Sequence, residues 1–401
     1  MRILAISQYG WPEPHPALNV MEEMAKRGHH VLAVTGMPNY PMGDLYKGYE
    51  KNKVVKEHHS GIHIVHVPIV PRKHNPVHRL LNYHSYPVNA KKEILKLSDD
   101  FDVVFANQSS PVMMVEPAIA YAKKNHKKVV MYCMDLWPAS LCVGGIKKNS
   151  ALYKYYWKRS KRVYSNVDVI LVTSRMFKDY FVEEFGIPRD KIVYLPQYAA
   201  AEYIDIPKAD KKDTIDFVFA GNVGKAQNLG VVLRAAKIIQ DEYSDNQRRI
   251  LFHIVGDGQE LDSLKAYAQE NQINNVIFHG RKPLKDMPYY YALADAMLVS
   301  MLPDPVVSLT LPAKIQSYMA ARKPIIACAN GEICNVINDA ECGFCAKADD
   351  ELGLVNAVYK FLNDPNREQF EINSAKYYEQ YFSVEKLMDQ LEEILKESCN
   401  S

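Results

Sequence analysis

The stretch FAGNVGKAQNLG, Phe219 to Gly230, sets two glycines around Asn222 and Val223 and follows them with Lys225. An apolar run, Ile215 to Ala220, stops at Gly221. Leu229, Val232, Leu233, Ala236 and Ile239 then recur at helical spacing. The pattern predicts strand, glycine turn, helix. It is not a Walker loop, because only two residues separate Gly221 and Gly224 and Ala226 stands where Ser or Thr would meet magnesium. It is not a G-x-G-x-x-G fingerprint either. A glycine turn with backbone N–H groups, Lys225 and Gln227 is nevertheless suited to a diphosphate. A second strand ends at Gly256-Asp257-Gly258, and a third at Gly280 before Arg281. Further on, Thr310-Leu311-Pro312-Ala313-Lys314 reads as the start of a helix. Thr310 would cap it, Pro312 would sit in its first turn, and its N–H groups and Lys314 would face an anion.

These residues need a scaffold, and the chain repeats one. Arg2 to Ser7, His30 to Thr35, Val103 to Ala106, Lys128 to Cys133 and Asp168 to Thr173 are short apolar runs separated by helical patterns. After Pro196 the alternation restarts with Ile215 to Ala220, Ile250 to Val255, Val276 to His279, Ala296 to Ser300 and Pro324 to Ala329. Strands alternating with helices imply parallel sheets covered on both faces. The expected organisation is α/β: two doubly wound, Rossmann-like domains facing a cleft, residues 1–196 and 197–375, with an irregular and then charged boundary between Leu195 and Lys211. Residues 376–401 form a terminal helix that could return to the first domain. In such sheets ligands lie outside the carboxyl ends of the strands.

Bulk properties exclude several classes. The 401 residues are 48% hydrophobic and 24% charged, ordinary for a globular protein. A net charge of +2 gives no case for nucleic acid. No apolar run approaches a membrane span, and Met1 to Ser7 reads as a buried strand, not an export signal. Seven unevenly spaced cysteines suggest reduced thiols in a cytoplasmic protein. Cys342 and Cys345 have CxxC spacing, but no second pair or nearby histidine completes a zinc site, and no metal is expected. His58, His59, His63 and His66 alternate through a hairpin-like stretch and are expected on a solvated face.

Basic residues cluster twice. Ile146 to Val167 holds Lys147, Lys148, Lys154, Lys158, Arg159, Lys161 and Arg162 without an acidic residue, interleaved with Tyr153, Tyr155, Tyr156 and Trp157. Arg72, Lys73, His74, His78 and Arg79 lie beside Leu80, Leu81 and Tyr83. Each reads either as a surface helix or as a face for anionic lipid. In the lipid reading, Tyr153 and Trp157 would enter the headgroup region.

FAGNVGKAQNL, HIVGDGQELDSL, VIFHGRKPLKDMPYYYALADAMLVS and LPAKIQSYMAARKPIIAC follow the order and spacing of the nucleotide-sugar domain of GT-B glycosyltransferases. MRILAISQYGWPEPHPALNVMEEMAKRGHHVLAVTGMPNYP and MDLWPAS resemble the retaining family-4 members, and more narrowly a subgroup that transfers amino sugars in capsule and O-antigen assembly. The resemblance runs over nearly the whole chain. It implies a UDP-sugar donor, transfer with retention, and no cofactor or metal. Gly221, Asn222, Gly224, Lys225, Gln227, Thr310, Leu311, Pro312, Ala313 and Lys314 would hold the diphosphate. Gly256, Asp257 and Gly258 would line the pocket, and groups near Arg281 would read the base. Asp135, after the strand Lys128 to Cys133, would act beside the acceptor hydroxyl; His15, Asn39, Ser109 and Trp137 would line the acceptor side. The acceptor would be a sugar or a polyprenyl-diphosphate-linked sugar at the inner face of the plasma membrane. Many family-4 members carry two glutamates where this chain has Leu309 and Ser317, and an arginine where it has Asn222. A nucleotide-sugar-binding pseudoenzyme or partner subunit, or a GT-B-fold nucleotide-sugar epimerase, are the alternatives.

Overall fold

The periodicities above resolve into two sheets in the computed structural model, which describes residues 1–73, 75–98, 100–207, 209–210, 213–243 and 248–400. His74 of the second basic cluster, and Lys208, Lys211 and Lys212 of the boundary stretch, lie outside the described residues. The chain divides into a first unit, Met1–Leu195 together with the chain from Met388 on, and a second unit, Pro196–Leu387.

The first unit runs β1 (Arg2–Ile6), α1 (Pro16–Lys26), β2 (His30–Gly36), β3 (Val55–His59), β4 (Ile62–Val67), α2 (Pro76–Ile94), β5 (Val103–Gln108), α3 (Glu116–Asn125), β6 (Val129–Cys133), α4 (Ser140–Val143), α5 (Ala151–Ser165), β7 (Val169–Val172), α6 (Phe177–Phe185) and β8 (Ile192–Tyr194). The sheet order is β3-β4-β2-β1-β5-β6-β7-β8, parallel except for β3 against β4. β1, β5 and β6 are almost wholly buried apolar residues, as central parallel strands covered on both faces must be.

The histidine-rich stretch is the β3–β4 hairpin, and one expectation fails there. His58 and His63 are exposed, but His66 is fully buried. β4 is an interior strand paired with β2, so its alternate residues enter the core. His66 is satisfied by Thr35 Oγ1 at 2.8 Å and Glu57 Oε1 at 2.5 Å.

α5 also departs from expectation. Tyr153 is buried, and Trp157 stacks on Phe185 while its Nε1 donates to Glu184 at 2.7 Å. Arg159 pairs with Glu116 at 2.6 Å, and Lys148 with Glu184 at 2.9 Å. The helix is amphipathic, so its aromatic side packs inward. Lys154, Lys158, Lys161 and Arg162 remain exposed.

The second unit runs β9 (Thr214–Ala220), α7 (Gly230–Glu242), β10 (Arg249–Val255), α8 (Leu261–Glu270), β11 (Val276–Gly280), α9 (Met287–Leu293), β12 (Ala296–Ser300), α10 (Pro305–Ser308), α11 (Lys314–Ala320), β13 (Ile325–Cys328), α12 (Glu332–Ala340), β14 (Gly343–Ala346), α13 (Glu351–Asn363) and α14 (Arg367–Tyr381). Its strands are parallel in the order β11-β10-β9-β12-β13-β14. This is the doubly wound order in which the chain reverses direction beside its first strand, here between β9 and β12. α15 (Val384–Asn400) follows.

A division at residue 375 falls inside α14. That helix stays with the second unit because it packs on α11 and Ser374 Oγ donates to Lys323 O at 2.8 Å. Beyond Met388, α15 joins the first unit through Arg27–Asp389 at 2.6 Å and Gln390 Nε2 to Tyr194 O at 3.1 Å. The cysteines are not all reduced: Cys334 in α12 and Cys345 in β14 form a disulfide, their Cα atoms 5.7 Å apart. Cys342, the other half of the CxxC, is a buried free thiol.

Candidate functional site

In the second unit the reversal between β9 and β12 opens a crevice at the carboxyl ends of those strands. The loop after β9 forms one wall. Gly221 has φ +142° and Gly256, after β10, has φ +153°. A Cβ on Gly256 would stand 1.8 Å from Gly221 O, and one on Gly258 would stand 2.3 Å from Val223 O. Only glycine lets these two loops touch. Their contact is a backbone ladder: Gly221 N to Val255 O at 2.9 Å, Val223 N to Asp257 O at 2.9 Å, and Glu260 N to Val223 O at 3.1 Å. Gly256 and Gly258 therefore support the β9 turn, and Asp257 Oδ1 accepts from Gly258 N at 2.8 Å.

Gln227 braces the turn from inside. Its Oε1 accepts from Gly224 N and from Asn222 Nδ2, both at 3.2 Å. The turn is tied to the end of β12 by Ser300 Oγ to Gln227 O at 2.6 Å and Leu302 N to Ala226 O at 2.9 Å. Gly221, Asn222 and Lys225 are exposed on it.

The other wall is the segment before α11. The expected cap at Thr310 is not there. Thr310 Oγ1 donates back to Val306 O at 3.4 Å, and α11 begins at Lys314 with no side-chain cap. The competing signal is Asp304, whose Oδ1 accepts from Val306 N and Val307 N and starts α10 with Pro305 in its first turn. Pro312 O receives Ile315 N at 3.0 Å, so Pro312 precedes the helix; Leu311 is buried. Pro312, Ala313 and Lys314 are half-buried. Tyr318 locks α11 to the strand end, accepting from Ala220 N and donating to Ala220 O, both at 3.1 Å.

Lys314 meets the glycine turn. Its Nζ lies 3.8 Å from the centroid of the Phe219 ring and 3.0 Å from where a Cβ on Gly221 would be. A side chain at position 221 would collide with the ammonium. Lys314 has no carboxylate partner among the described residues. Burial disfavours its charge and brings its pKa down to about 7. A partly buried ammonium held on a ring face, with no anion beside it, is suited to receive one. Lys225 likewise has no ion pair among the described residues, but it stands in solvent. Arg281 is exposed at the end of edge strand β11, two strands from β9, or about 10 Å at ordinary strand spacing.

In the first unit the corresponding reversal lies between β1 and β5. Asp135, just after β6, is half-buried; its Oδ2 accepts from Ser140 Oγ at 3.0 Å and closely from Ser110 Oγ. Burial raises its pKa despite those hydroxyls. Ser110 is thus the neighbour of Asp135, while Ser109 Oγ lies 4.0 Å from Met114 Sδ. His15 Nδ1 caps α1 by accepting from Ala17 N at 3.2 Å, and burial lowers its pKa to about 4, leaving a neutral ring stacked on Tyr9.

Two acceptor-side expectations fail by burial. Trp137 is 1% exposed, edge-on to Tyr83 and Tyr156, and its carbonyl accepts from Tyr164 OH at 2.7 Å. Asn39 is also 1% exposed. Its Oδ1 accepts from Arg72 N at 3.1 Å, and its backbone N donates to Glu13 Oε1 at 2.6 Å. Both residues shape the loops from below. Glu13 is the residue that sequence reasoning missed. It is buried, accepts also from Tyr40 N at 2.7 Å and Gly10 N at 3.3 Å, and has its pKa pushed up to about 7 by burial. Its partners Asn39 and Tyr40, distant in sequence, are what mark it.

Residues 17–197 match the family described as Glycosyltransferase Family 4, and residues 202–377 match Glycosyl transferases group 1. The protein WbjE of Pseudomonas aeruginosa, named as a glycosyltransferase, is 27% identical over 319 residues, covering 74% of this chain and 76% of the relative. WcaI of Escherichia coli strain K12, named for glycosyl transfer in colanic acid biosynthesis, is 23% identical over 326 residues, covering 75% of each. The structure of Anabaena Alr3699/HepE in complex with UDP superposes with a TM-score of 0.71 at 14% identity, covering 99% of this chain and 100% of that one. The fold is GT-B, and the chain is a glycosyltransferase of family-4-like type.

Proposed function

We propose that this protein transfers a sugar, a hexosamine or deoxy-amino sugar, from a UDP donor to a lipid-linked acceptor in polysaccharide assembly, with retention of configuration. The observation that carries the donor reading is Lys314, an ammonium without a carboxylate partner among the described residues, set against Gly221 at the β9–β12 reversal. Lys225 adds a second, solvent-exposed charge. As the glycosidic bond breaks, its electron pair goes to the departing phosphate oxygen. Cations fixed at that oxygen stabilise the transition state more than the ground state. The acceptor hydroxyl proton passes to the Asp135 carboxylate as the new bond forms on the face the phosphate leaves. Asp135 of the first unit serves the acceptor hydroxyl. The names of WbjE and WcaI support glycosyl transfer and, for WcaI, polysaccharide assembly. The exposed cations Lys154, Lys158, Lys161 and Arg162 support a cytoplasmic protein resting on an anionic membrane face.

The test is a panel of nucleotide sugars read by UDP release, with UDP and uridine affinities measured on Lys314→Ala. A charge-assisted contact contributes about 1.5–3 kcal/mol, so the substitution should weaken UDP about ten- to a hundredfold and leave uridine unchanged. Equal losses for both ligands would remove the diphosphate role. Binding of UDP without turnover of any donor would favour the pseudoenzyme reading, which the replacements Leu309 and Ser317 motivate.

A further inference from the structure

α2 exposes apolar side chains on the face turned away from the sheet. Val77, Leu80, Leu81 and Val88 are 66%, 41%, 48% and 53% exposed. Positions 77, 81 and 88 fall on one helical stripe, with 80 beside it. The opposite face, Asn82, Tyr83, Tyr86, Ala90 and Ile94, is buried. Near its end the stripe runs into a groove of about 750 Å³, where Val88 and Tyr155 are rimmed by Lys91, Lys123, Lys158 and Arg162. An apolar stripe bounded by cations is the pattern of a helix lying in the interface of a bilayer.

The other side of the same helix reaches the carboxyl edge of the sheet. Arg79 precedes Asn82 by three residues and Tyr83 by four, so it shares their side, but it stands in the first turn and is exposed. Arg72 lies in the segment just before α2, its backbone N held by Asn39 and its guanidinium 5.9 Å from the Tyr40 ring centroid. Arg72, Arg79 and Asp135 all act electrostatically on the Tyr83 phenol. Neither Arg72 nor Arg79 has a carboxylate partner among the described residues. Two free guanidinium groups and a phenol, beside the proposed acceptor-activating Asp135, form a cradle for a doubly charged group.

We infer that α2 is where the acceptor's lipid is held: an isoprenoid chain lies along Val77, Leu80, Leu81 and Val88 in the bilayer, and its diphosphate turns round the first turn of the helix to Arg72, Arg79 and Tyr83. A helix with side chains is about 10–12 Å across, a distance within reach of a few isoprene units. The inference rests on the lipid-linked acceptor proposed above and names the residues that select it. Charge complementarity identifies the headgroup, and the apolar stripe distinguishes a lipid diphosphate from a soluble one.

The test uses the full chain and neutral phosphatidylcholine vesicles containing geranylgeranyl diphosphate, with inorganic diphosphate as the soluble competitor. Wild type should bind the loaded vesicles and not the plain ones. Arg72→Gln with Arg79→Gln, and separately Leu80→Ser with Leu81→Ser, should each weaken binding about tenfold or more. Lys376→Gln with Lys386→Gln, on exposed positions of the second unit, should bind like wild type. Inorganic diphosphate at the same concentration should displace little. UDP affinity, measured in parallel, should be unchanged in every variant, and circular dichroism with thermal unfolding shows that the first unit of each is folded. Wild type that ignores the lipid diphosphate, variants that bind it as wild type does, or full displacement by inorganic diphosphate would each overturn the inference. Loss of UDP binding by wild type would instead sink the donor assignment, which this assay reads separately.

Discussion

At the reversal between β9 and β12, Lys225 and Lys314 have no carboxylate partner among the described residues, and the turn is built from glycines that bring backbone to backbone. At the reversal between β1 and β5 the acid–base groups have hydrogen-bond partners of their own. Glu13 takes three backbone N–H groups, His15 caps a helix, and Asp135 is held by two serines. The first arrangement leaves positive charge unmet and calls for an anion. The second holds neutral or buried acid–base groups in fixed positions, which suits hydroxyl chemistry. The two edges of one fold family are thus chemically specialised, and the difference can be broken by substitution.

The largest effect should come from Asp135→Asn. An amide oxygen can still accept from Ser110 and Ser140, so the loop keeps its shape while the charge is lost. Turnover should fall about 10²- to 10⁴-fold, the usual worth of a positioned acid–base group. UDP affinity should not move, because Asp135 belongs to the other unit. Turnover equal to wild type at normal stability would leave Asp135 a loop residue and erase the contrast between the edges.

Gly256→Ala tests the donor edge through its backbone. A methyl group 1.8 Å from Gly221 O forces the β9 and β10 loops apart. Overpacking costs about 1–3 kcal/mol, and the left-handed φ adds to it, so denaturant unfolding should show a loss of about 3 kcal/mol together with weaker UDP binding. Unchanged UDP affinity would mean that the loop contact does not shape the anion site.

What was legible in the sequence follows the same division. Glycine requirements are local, so the turns at Gly221 and Gly256 can be read from their own residues, and long apolar runs mark β1, β5, β9 and β10 directly. Shorter elements such as β8 and β14 carry too few residues for a period to emerge. The acceptor edge was less legible. Trp137 and Asn39 look like lining residues until tertiary packing buries them, and Glu13 and Ser110 acquire roles only from partners far along the chain. Thr310 illustrates a local competition, because Asp304 offers the better cap six residues earlier and the helix it starts ends before Thr310 can begin another.

The pH dependence of UDP binding sharpens the donor side. The free Lys314 ammonium has its pKa lowered to about 7 by burial, so it is fully charged only below that pH. A bound diphosphate favours the charged form and raises the pKa. Above pH 7 the complex must therefore take up a proton, and affinity should fall as pH rises. The limiting slope is tenfold, about 1.4 kcal/mol, per pH unit. Calorimetry in buffers of different ionisation enthalpy between pH 7 and 9 reads that proton directly. Lys314→Arg should flatten the profile, since guanidinium stays charged. A wild-type profile already flat over this range would show that Lys314 does not titrate with binding.

The smallest effect should be that of Lys225→Ala, and it separates the two cations on one edge. Lys314 is enclosed by Phe219 and Gly221, where water screens its field poorly. Lys225 stands in solvent on a single helical turn. An exposed ion pair contributes about 0.2–1 kcal/mol, so removing Lys225 should weaken UDP only about two- to fivefold. That loss should shrink further in high salt, because the Debye length falls to about 3 Å at 1 M. The loss from Lys314→Ala should persist there. Isothermal titration of both variants at low and high salt makes the comparison. If Lys225→Ala costs as much as Lys314→Ala and resists salt equally, then the turn must fold its lysine over the diphosphate on binding. Enclosure would then be a property of the complex and not of the free protein.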